Sequence, residues 1–393
     1  MTAFLDQLAG ALTEIEHDGQ LRRLVPVTHL DRGRIDIDGR TCLNLAGNDY
    51  LGLAANHPLL RAFYAEQDRA GLLENYALGS TASRLMTGNT RPYVRLEEQL
   101  RALYRAEAAL VFNSGYHINI GILPALAGRQ DLILADKLCH ASLIDGMRLS
   151  RARTIRYPHL DYAAIERILA HERDNYRQVY IVTESIFSMD GDTADLARLV
   201  QLRDRWQAVL YVDEAHGVGI RGDSGCGLAE EQGVHRQIDI LTGTFGKAFG
   251  GQGAFVVGPQ VLIEYLVNTA RSQIFSTGLP PVSVHWLCFV LRQIPLMREQ
   301  RATVARLAER FRESLRAAGL RTDGSSNIVP VLVGDAGRAV AAAERVCAAG
   351  YWVKAVRPPT VPAGTSRLRL SLNAAMDWDQ LAPLAGVIRA ALD

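Results

Sequence analysis

Between Ala109 and Val257 the sequence alternates short apolar runs with helical stretches, and this constrains the fold more than any other feature. The runs are Ala109–Phe112, Leu132–Ala135, Thr154–Tyr157, Val179–Glu184, Val209–Asp213, Ile238–Thr242 and Gly253–Val257. Most are continuously apolar, as strands buried on both faces must be. Helical segments between most of them predict an α/β fold: a mostly parallel central sheet covered by helices on both sides. In such sheets reactive groups gather beyond the carboxyl ends of the strands. Residues 113–116, 184–192, 213–219 and 243–247 all fall there.

The flanks predict smaller elements. Phe4, Leu5, Leu8, Leu12 and Ile15 recur at helical spacing, so residues 2–25 read as an amphipathic helix. Arg34–Asp38 and Thr41–Leu45, joined at Asp38-Gly39, read as a hairpin. After Pro280-Pro281 a helical stretch of residues 282–318, broken near Pro295, leads into Ile328–Val333, a helix at 336–349, Trp352–Val356, Arg367–Leu372 and a closing helix at 378–392. The expected division is an N-terminal helix and hairpin segment (1–47), a large domain (48–281) and a smaller α+β domain (282–393).

Composition removes several function classes. Lys and Arg number 43 against 42 Asp and Glu, which gives no charge-based case for nucleic acid or an anionic membrane. The five cysteines form no C-x-x-C pair, so neither a zinc site nor a disulfide framework is indicated, and free thiols in a reducing cytosol are expected. Asp6, Glu14, Glu16 and Asp18 argue against a secretory leader. Val282–Leu296 is interrupted by His285, Arg292 and Pro295, and is too short and polar to span a bilayer. A cytoplasmic protein without a membrane partner is expected.

The loop Leu241–Gly251 places Lys247 among glycines just after an apolar run. A lysine shielded from water loses proton affinity and can act as a Schiff-base amine. A lysine on a glycine loop is more often a surface lysine, so the surrounding loops decide. Two phosphate motifs are excluded here. Leu241 and Ala248 break the P-loop pattern, and Val256 stands where a dinucleotide fingerprint needs its third glycine. Asp213, at the end of Val209–Val212, could orient a base, bind a metal, hold a protonated ring nitrogen or cap the next turn. Metal binding has little support, since no H-E-x-x-H occurs. Ser114-Gly115-Tyr116 stands between a strand and a helix, where exposed N–H groups and the positive helix end suit a phosphate. His140 and His216 read singly as core histidines. Taken together, a Schiff-base lysine, an aspartate for a ring nitrogen, a phosphate-binding helix end and a stacking histidine describe a pyridoxal 5′-phosphate site.

The ordered motifs Asn48-Asp-Tyr-Leu-Gly-Leu53, Phe187-Ser-Met-Asp-Gly-Asp192, Asp213-Glu-Ala-His-Gly217, Thr244-Phe-Gly-Lys247 and Phe275-Ser-Thr277 span nearly the whole chain. Through them it resembles the α-oxoamine synthases, pyridoxal-phosphate enzymes of the type I aminotransferase fold. The tail Tyr351–Leu370 and Arg22 point within the family to the member that condenses L-alanine with a pimeloyl thioester, giving 8-amino-7-oxononanoate in biotin synthesis. The resemblance implies that Lys247 carries the cofactor and exchanges the Cα proton, Asp213 pairs with the pyridine nitrogen, and His140 stacks on the ring. His216 and Ser188 would lie near its phenolic oxygen. Gly115 and Tyr116, beside Ser114, would present amides to the phosphate, with Thr244 adding a hydroxyl. Ser276 and Thr277 would reach the phosphate of a neighbouring subunit, implying a homodimer with a shared site. Arg369, with Arg357, would grip the amino-acid carboxylate, alongside Asn48, and Arg22 would serve the acyl group delivered by coenzyme A or a carrier protein. The chain departs from the family pattern at His159-Leu160-Asp161, where His-Asn-Asp is usual, and at Tyr93, where a histidine is frequent. Both lie near the acyl-substrate approach, so acetyl transfer to glycine or use of another acyl thioester stays open, as do a non-catalytic cofactor-binding regulator and plain transamination.

Overall fold

The computed structural model describes residues 2–17, 19–67 and 71–393. Its strands, in chain order, are β1 (Thr28–Leu30), β2 (Arg34–Ile37), β3 (Arg40–Asn44), β4 (Ala108–Phe112), β5 (Asp131–Asp136), β6 (Arg153–Tyr157) and β7 (Gln178–Glu184). They continue with β8 (Val209–Asp213), β9 (Ile240–Thr244), β10 (Ala254–Gly258), β11 (Ile328–Gly334), β12 (Tyr351–Trp352), β13 (Lys354–Val356) and β14 (Ser366–Ser371).

The central sheet has seven strands in the order β4-β10-β9-β8-β7-β5-β6. Only β10 runs against the others. Every residue of β4, β5 and β9 is buried, which accounts for the apolar runs Ala108–Phe112, Leu132–Ala135 and Ile240-Leu241. Successive side chains feed two separate cores, because they alternate across the sheet. Leu132 and Leu134 join Val179, Ile181, Leu210 and Val212 on one face. Ile133 and Ala135 join Val182, Tyr211, Ile240 and Val256 on the other. The second face is covered by helices Gly115–Leu126 and Ala141–Leu149, which pack closely. A Cβ on Gly146 would lie 2.4 Å from the Asn119 carbonyl oxygen, so only glycine permits that approach.

A smaller unit is built on the antiparallel sheet β11-β14-β13, with Val329, Val331, Leu368 and Leu370 packed against helices Arg298–Ala317, Ala336–Ala348 and Leu384–Leu392. Packing also joins segments across these elements. Helix Pro281–Gln293 buries Val284, Leu287 and Val290 in the large core, which extends to Ile294. Conversely, Leu43 and Leu45 enter the small core, and β3 pairs in parallel with β12, so the N-terminal hairpin goes with the small unit.

The first helix covers only Ala3–His17 and buries none of its residues. Gly19, in the left-handed region at φ 64°, marks its end, and residues 20–27 carry no regular structure. Among the described residues no helix is long and apolar enough to cross a membrane.

Candidate active site

The carboxyl ends of β4, β5, β7, β8 and β9 meet on one side of the sheet, and the small-unit strand β14 closes over them. Lys247 sits in the loop after β9, where Gly250 N–H donates to the Lys247 carbonyl (2.9 Å). Gly250 has φ 57°, and a Cβ there would lie 2.8 Å from Ala54 N. The lysine retains some accessible surface, yet protein atoms crowd its amine. That desolvation lowers its pKa from 10.5 to about 8, although Asp213 and Glu184 pull the other way. The amine is thereby brought near neutrality, as a nucleophile or proton acceptor requires.

Asp213 is the buried last residue of β8. One carboxylate oxygen accepts from Ala215 N–H (2.9 Å) and the other from the Asn119 side-chain amide (2.8 Å). Its cross-strand partner is Glu184 at the end of β7. Burial and then Asp213 raise the Glu184 pKa to about 8, while Lys247 and the His140 N–H that it accepts work in the opposite direction. His140 caps helix Ala141–Leu149 and accepts from Ser142 N–H (3.2 Å). The residue as a whole is exposed, while burial of the ring and then Lys247 lower its pKa.

His216 is buried, and its Nδ1 lies 2.6 Å from the Tyr50 hydroxyl. Burial first, then Lys247 and Arg369, hold it well below the usual histidine range, so it is neutral. Arg369, on β14, is fixed on three sides: Nε donates to the Ser188 carbonyl, one terminal nitrogen to Ser371 Oγ (2.8 Å), and the other to Asn48 Oδ1 (3.0 Å). Arg367 on the same strand pairs with Asp190. The loop bearing Ser188 is thus clasped from the small unit.

From the opposite side the same loop is held by His159, which bonds Asp136 (2.9 Å) and Asp192 (2.7 Å) with its two ring nitrogens. Burial opposes protonation of this ring, but the two carboxylates outweigh it and raise its pKa to about 10. Leu160, where the family usually has asparagine, takes the left-handed conformation at φ 53°. Asparagine tolerates that region better than leucine, and Leu160 instead packs its side chain against the large core. Tyr93, the other departure, is fully buried and receives the Leu279 N–H (2.6 Å).

Ser114 caps helix Gly115–Leu126, accepting from His117 N–H (3.2 Å). The first-turn N–H groups of Gly115 and Tyr116 have no acceptor within the helix. A Cβ on Gly115 would lie 3.5 Å from Thr244 Oγ1, so this turn and that hydroxyl face each other. Tyr116 itself is exposed and donates to Asp145 (2.7 Å). Beside the lysine loop lies a cavity of about 220 Å³ bordered by Asn48, Gly246, Asn373 and Arg34.

Lys247, Asp213, His140, His216, Ser188, Asn48 and Arg369 are therefore brought together, with Ser114, Gly115 and Thr244 at the adjoining helix end. The remaining expected residues lie at its margins. Thr277 is docked on its own chain, its carbonyl accepting from Asn113 (2.7 Å), with Ser276 beside it. Arg22 is exposed on the irregular segment after the first helix, and Arg357 donates to the Leu21 carbonyl (3.3 Å). Sequence reasoning missed Tyr50, Asn119 and Glu184. Tyr50 lay within the Asn48–Leu53 motif, and Asn119 was a lone amide between Ile118 and Ile120. Glu184 ended an apolar strand, where it could equally have been a cap.

The aminotransferase class I and II family matches residues 40–388. An 8-amino-7-oxononanoate synthase from Chlorobaculum parvum is 50% identical over 372 residues, covering 94% of this chain and 95% of its relative. The chain belongs to this family. Another member, from Geobacter sulfurreducens, is 46% identical over 377 residues, with 95% of each chain covered. Among solved structures, a serine palmitoyltransferase from S. paucimobilis, determined with PLP and myriocin bound, superposes with a TM-score of 0.89 at 28% identity. It covers 100% of this chain and 98% of its own. An 8-amino-7-oxononanoate synthase from Francisella tularensis gives 0.74 at 28% identity, covering 89% and 97%. The fold is accordingly that of the type I pyridoxal-phosphate enzymes, and the 8-amino-7-oxononanoate synthases that the chain matches are acyltransferases of the α-oxoamine synthase group.

The donor set fits the cofactor expected from the sequence. An amine of lowered basicity, a buried carboxylate, an imidazole and a helix N-terminus opposite a hydroxyl match an aldehyde, a ring nitrogen, a flat ring and a phosphate in turn.

Proposed function

We propose that this chain joins L-alanine to a pimeloyl thioester, releasing carbon dioxide and the carrier thiol and giving 8-amino-7-oxononanoate for biotin synthesis. It acts with pyridoxal 5′-phosphate in the cytoplasm, as a homodimer in which Ser276 and Thr277 of one subunit complete the phosphate site of the other. The observation carrying this reading is the arrangement of Lys247 between a buried Asp213 and a tethered Arg369.

Bound pyridoxal phosphate supplies the electron sink that makes the amino-acid Cα proton acidic. Asp213 would hold the ring nitrogen, His140 would stack on the ring, and neutral His216 would offer a donor near the phenolic oxygen. The Gly115 and Tyr116 amides, with Thr244, would hold the phosphate. Arg369 meets the amino-acid carboxylate. Tethering by Ser188, Ser371 and Asn48 fixes the plane of its fork, so the carboxylate is oriented and not merely attracted. With the carboxylate so held, the Lys247 amine is the base for the Cα proton, and its lowered pKa leaves an appreciable fraction unprotonated at neutral pH. The same lysine returns a proton to that carbon after loss of carbon dioxide.

The test is a substrate screen. The purified protein with pyridoxal phosphate is assayed for thiol release and product with L-alanine, glycine, serine and 2-aminobutyrate against several acyl-CoAs and a pimeloyl carrier protein. L-Alanine with a pimeloyl donor should give the highest kcat/KM, and Lys247→Ala should abolish turnover. Preference for glycine with acetyl-CoA would overturn the substrate assignment.

A further inference from the structure

Asn119 is 1% exposed and projects from a helix whose neighbouring residues Ile118, Ile122 and Leu123 are all buried in apolar surroundings. An amide there is costly unless its hydrogen-bonding groups are used, and all of them are. Oδ1 accepts from the Tyr211 hydroxyl (2.5 Å), while Nδ2 donates to Asp213 Oδ2 (2.8 Å) and to Ser142 Oγ (2.9 Å). An ionised carboxylate can only accept, so Nδ2 must be the atom that faces Asp213.

Ser142, also 1% exposed, extends the chain to His140. Its hydroxyl lies 2.8 Å from His140 Nδ1, and its backbone N–H donates to the same nitrogen (3.2 Å). A backbone N–H cannot accept, so Nδ1 carries the lone pair and the ring proton resides on Nε2. The close seat of Gly146 against the Asn119 carbonyl fixes the helix that bears this amide.

We infer that Asn119 is a positioning residue: its amide holds Asp213 and, through Ser142, fixes His140 in its Nε2–H tautomer. The same side chain thus sets the two groups assigned to the cofactor's ring nitrogen and ring face. This rests on the reading of the site as a pyridoxal-phosphate site. Replacing the amide removes one of the two donors on Asp213 and frees the His140 ring to change tautomer. Loss of a hydrogen bond to a charged group and of such an outer contact is expected to cost about tenfold to a hundredfold.

The experiment compares full-length Asn119→Leu, Tyr211→Phe, Ser142→Ala and Ser142→Thr with the unaltered protein. It reads the affinity for pyridoxal phosphate and the visible absorbance of the bound cofactor across pH, with circular dichroism reporting the fold. Asn119→Leu should weaken cofactor binding about tenfold to a hundredfold and displace the pH midpoint of the visible band. Ser142→Ala should displace that midpoint with a smaller loss of affinity, and Ser142→Thr should restore it. Should Asn119→Leu fail to fold, Tyr211→Phe, which removes only the hydroxyl orienting the amide, and Ser142→Ala carry the test. Folded variants with the unaltered protein's midpoint and affinity overturn the inference while leaving the site assignment intact. Absence of any visible band in the unaltered protein overturns both.

Discussion

His159→Leu isolates the clasp that holds the Ser188 loop to the central sheet. Both ring nitrogens face carboxylates, Asp136 at 2.9 Å and Asp192 at 2.7 Å, and the ring lies edge-on to Phe187 with centroids 4.4 Å apart. A pKa raised from 6.5 to about 10 corresponds to a preference of about 5 kcal/mol for the charged ring. Its side chain is 23% exposed, and Asp136 keeps the Leu138 and Leu160 N–H groups (2.8 and 2.9 Å) after the ring is gone. Screening and these surviving donors reduce the expected loss to about 3 kcal/mol. The sign follows from the raised pKa: below pH 6.5 the folded and unfolded rings are both protonated and the full contribution is present. It is lost as the pH climbs from 6.5 toward about 10. Urea denaturation midpoints of the two proteins should therefore differ most at pH 6 and converge partly by pH 10. Activity should fall too, because Asp192 lies in the loop whose Ser188 carbonyl anchors Arg369. A stability gap that is independent of pH, or one under about 1 kcal/mol at pH 6, would refute the argument.

Three further outcomes are expected. The rate at which pyridoxal phosphate adds to the cofactor-free protein should rise with pH and level off above about 8, the Lys247 pKa. At pH 7 it should be about tenfold below the plateau, because only the free amine attacks; a rate still climbing toward pH 10.5 would show an ordinary lysine. Arg369→Lys keeps the charge but not the tethered fork, so KM for the amino acid should rise about tenfold or more with a smaller effect on kcat. An unchanged KM would remove Arg369 from carboxylate binding. Gly146→Ala forces a methyl to within 2.4 Å of the Asn119 carbonyl and should cost about 1–3 kcal/mol, read as a lowered urea midpoint; an unchanged midpoint would mean that the two helices are not tightly seated there.

The sheet was legible because all its strands but the edge strand β6 are largely buried. Burial on both sides leaves short apolar runs, whose length marks them as strands, and β4, β5 and β7 to β10 lie within a few residues of their expected places. The antiparallel course of β10 was not legible, since a fully buried strand reads alike in either direction. The first helix was read as far as the basic Leu21-Arg22-Arg23 although its apolar spacing ends at Ile15, and Gly19 marks the stop. Which core takes helix Pro281–Gln293 was not legible, because it is apolar enough for either and only contact decides that it joins the large one.

The sequence by itself determined the fold class, the lysine with its glycine loop, and the aspartate and histidines ending the strands. Each leaves a local signature of residue type and spacing. Tertiary structure decided what those residues can do. The lowered pKa of Lys247 comes from atoms crowding its amine and from Asp213, Glu184 and Arg369, which are distant in sequence. The Asn119 amide joins Asp213 to Ser142 across three different elements, and His159 gains its charge from carboxylates on two others. Electrostatic shifts and shared hydrogen bonds depend on distance through space, and no local pattern in the chain encodes that distance.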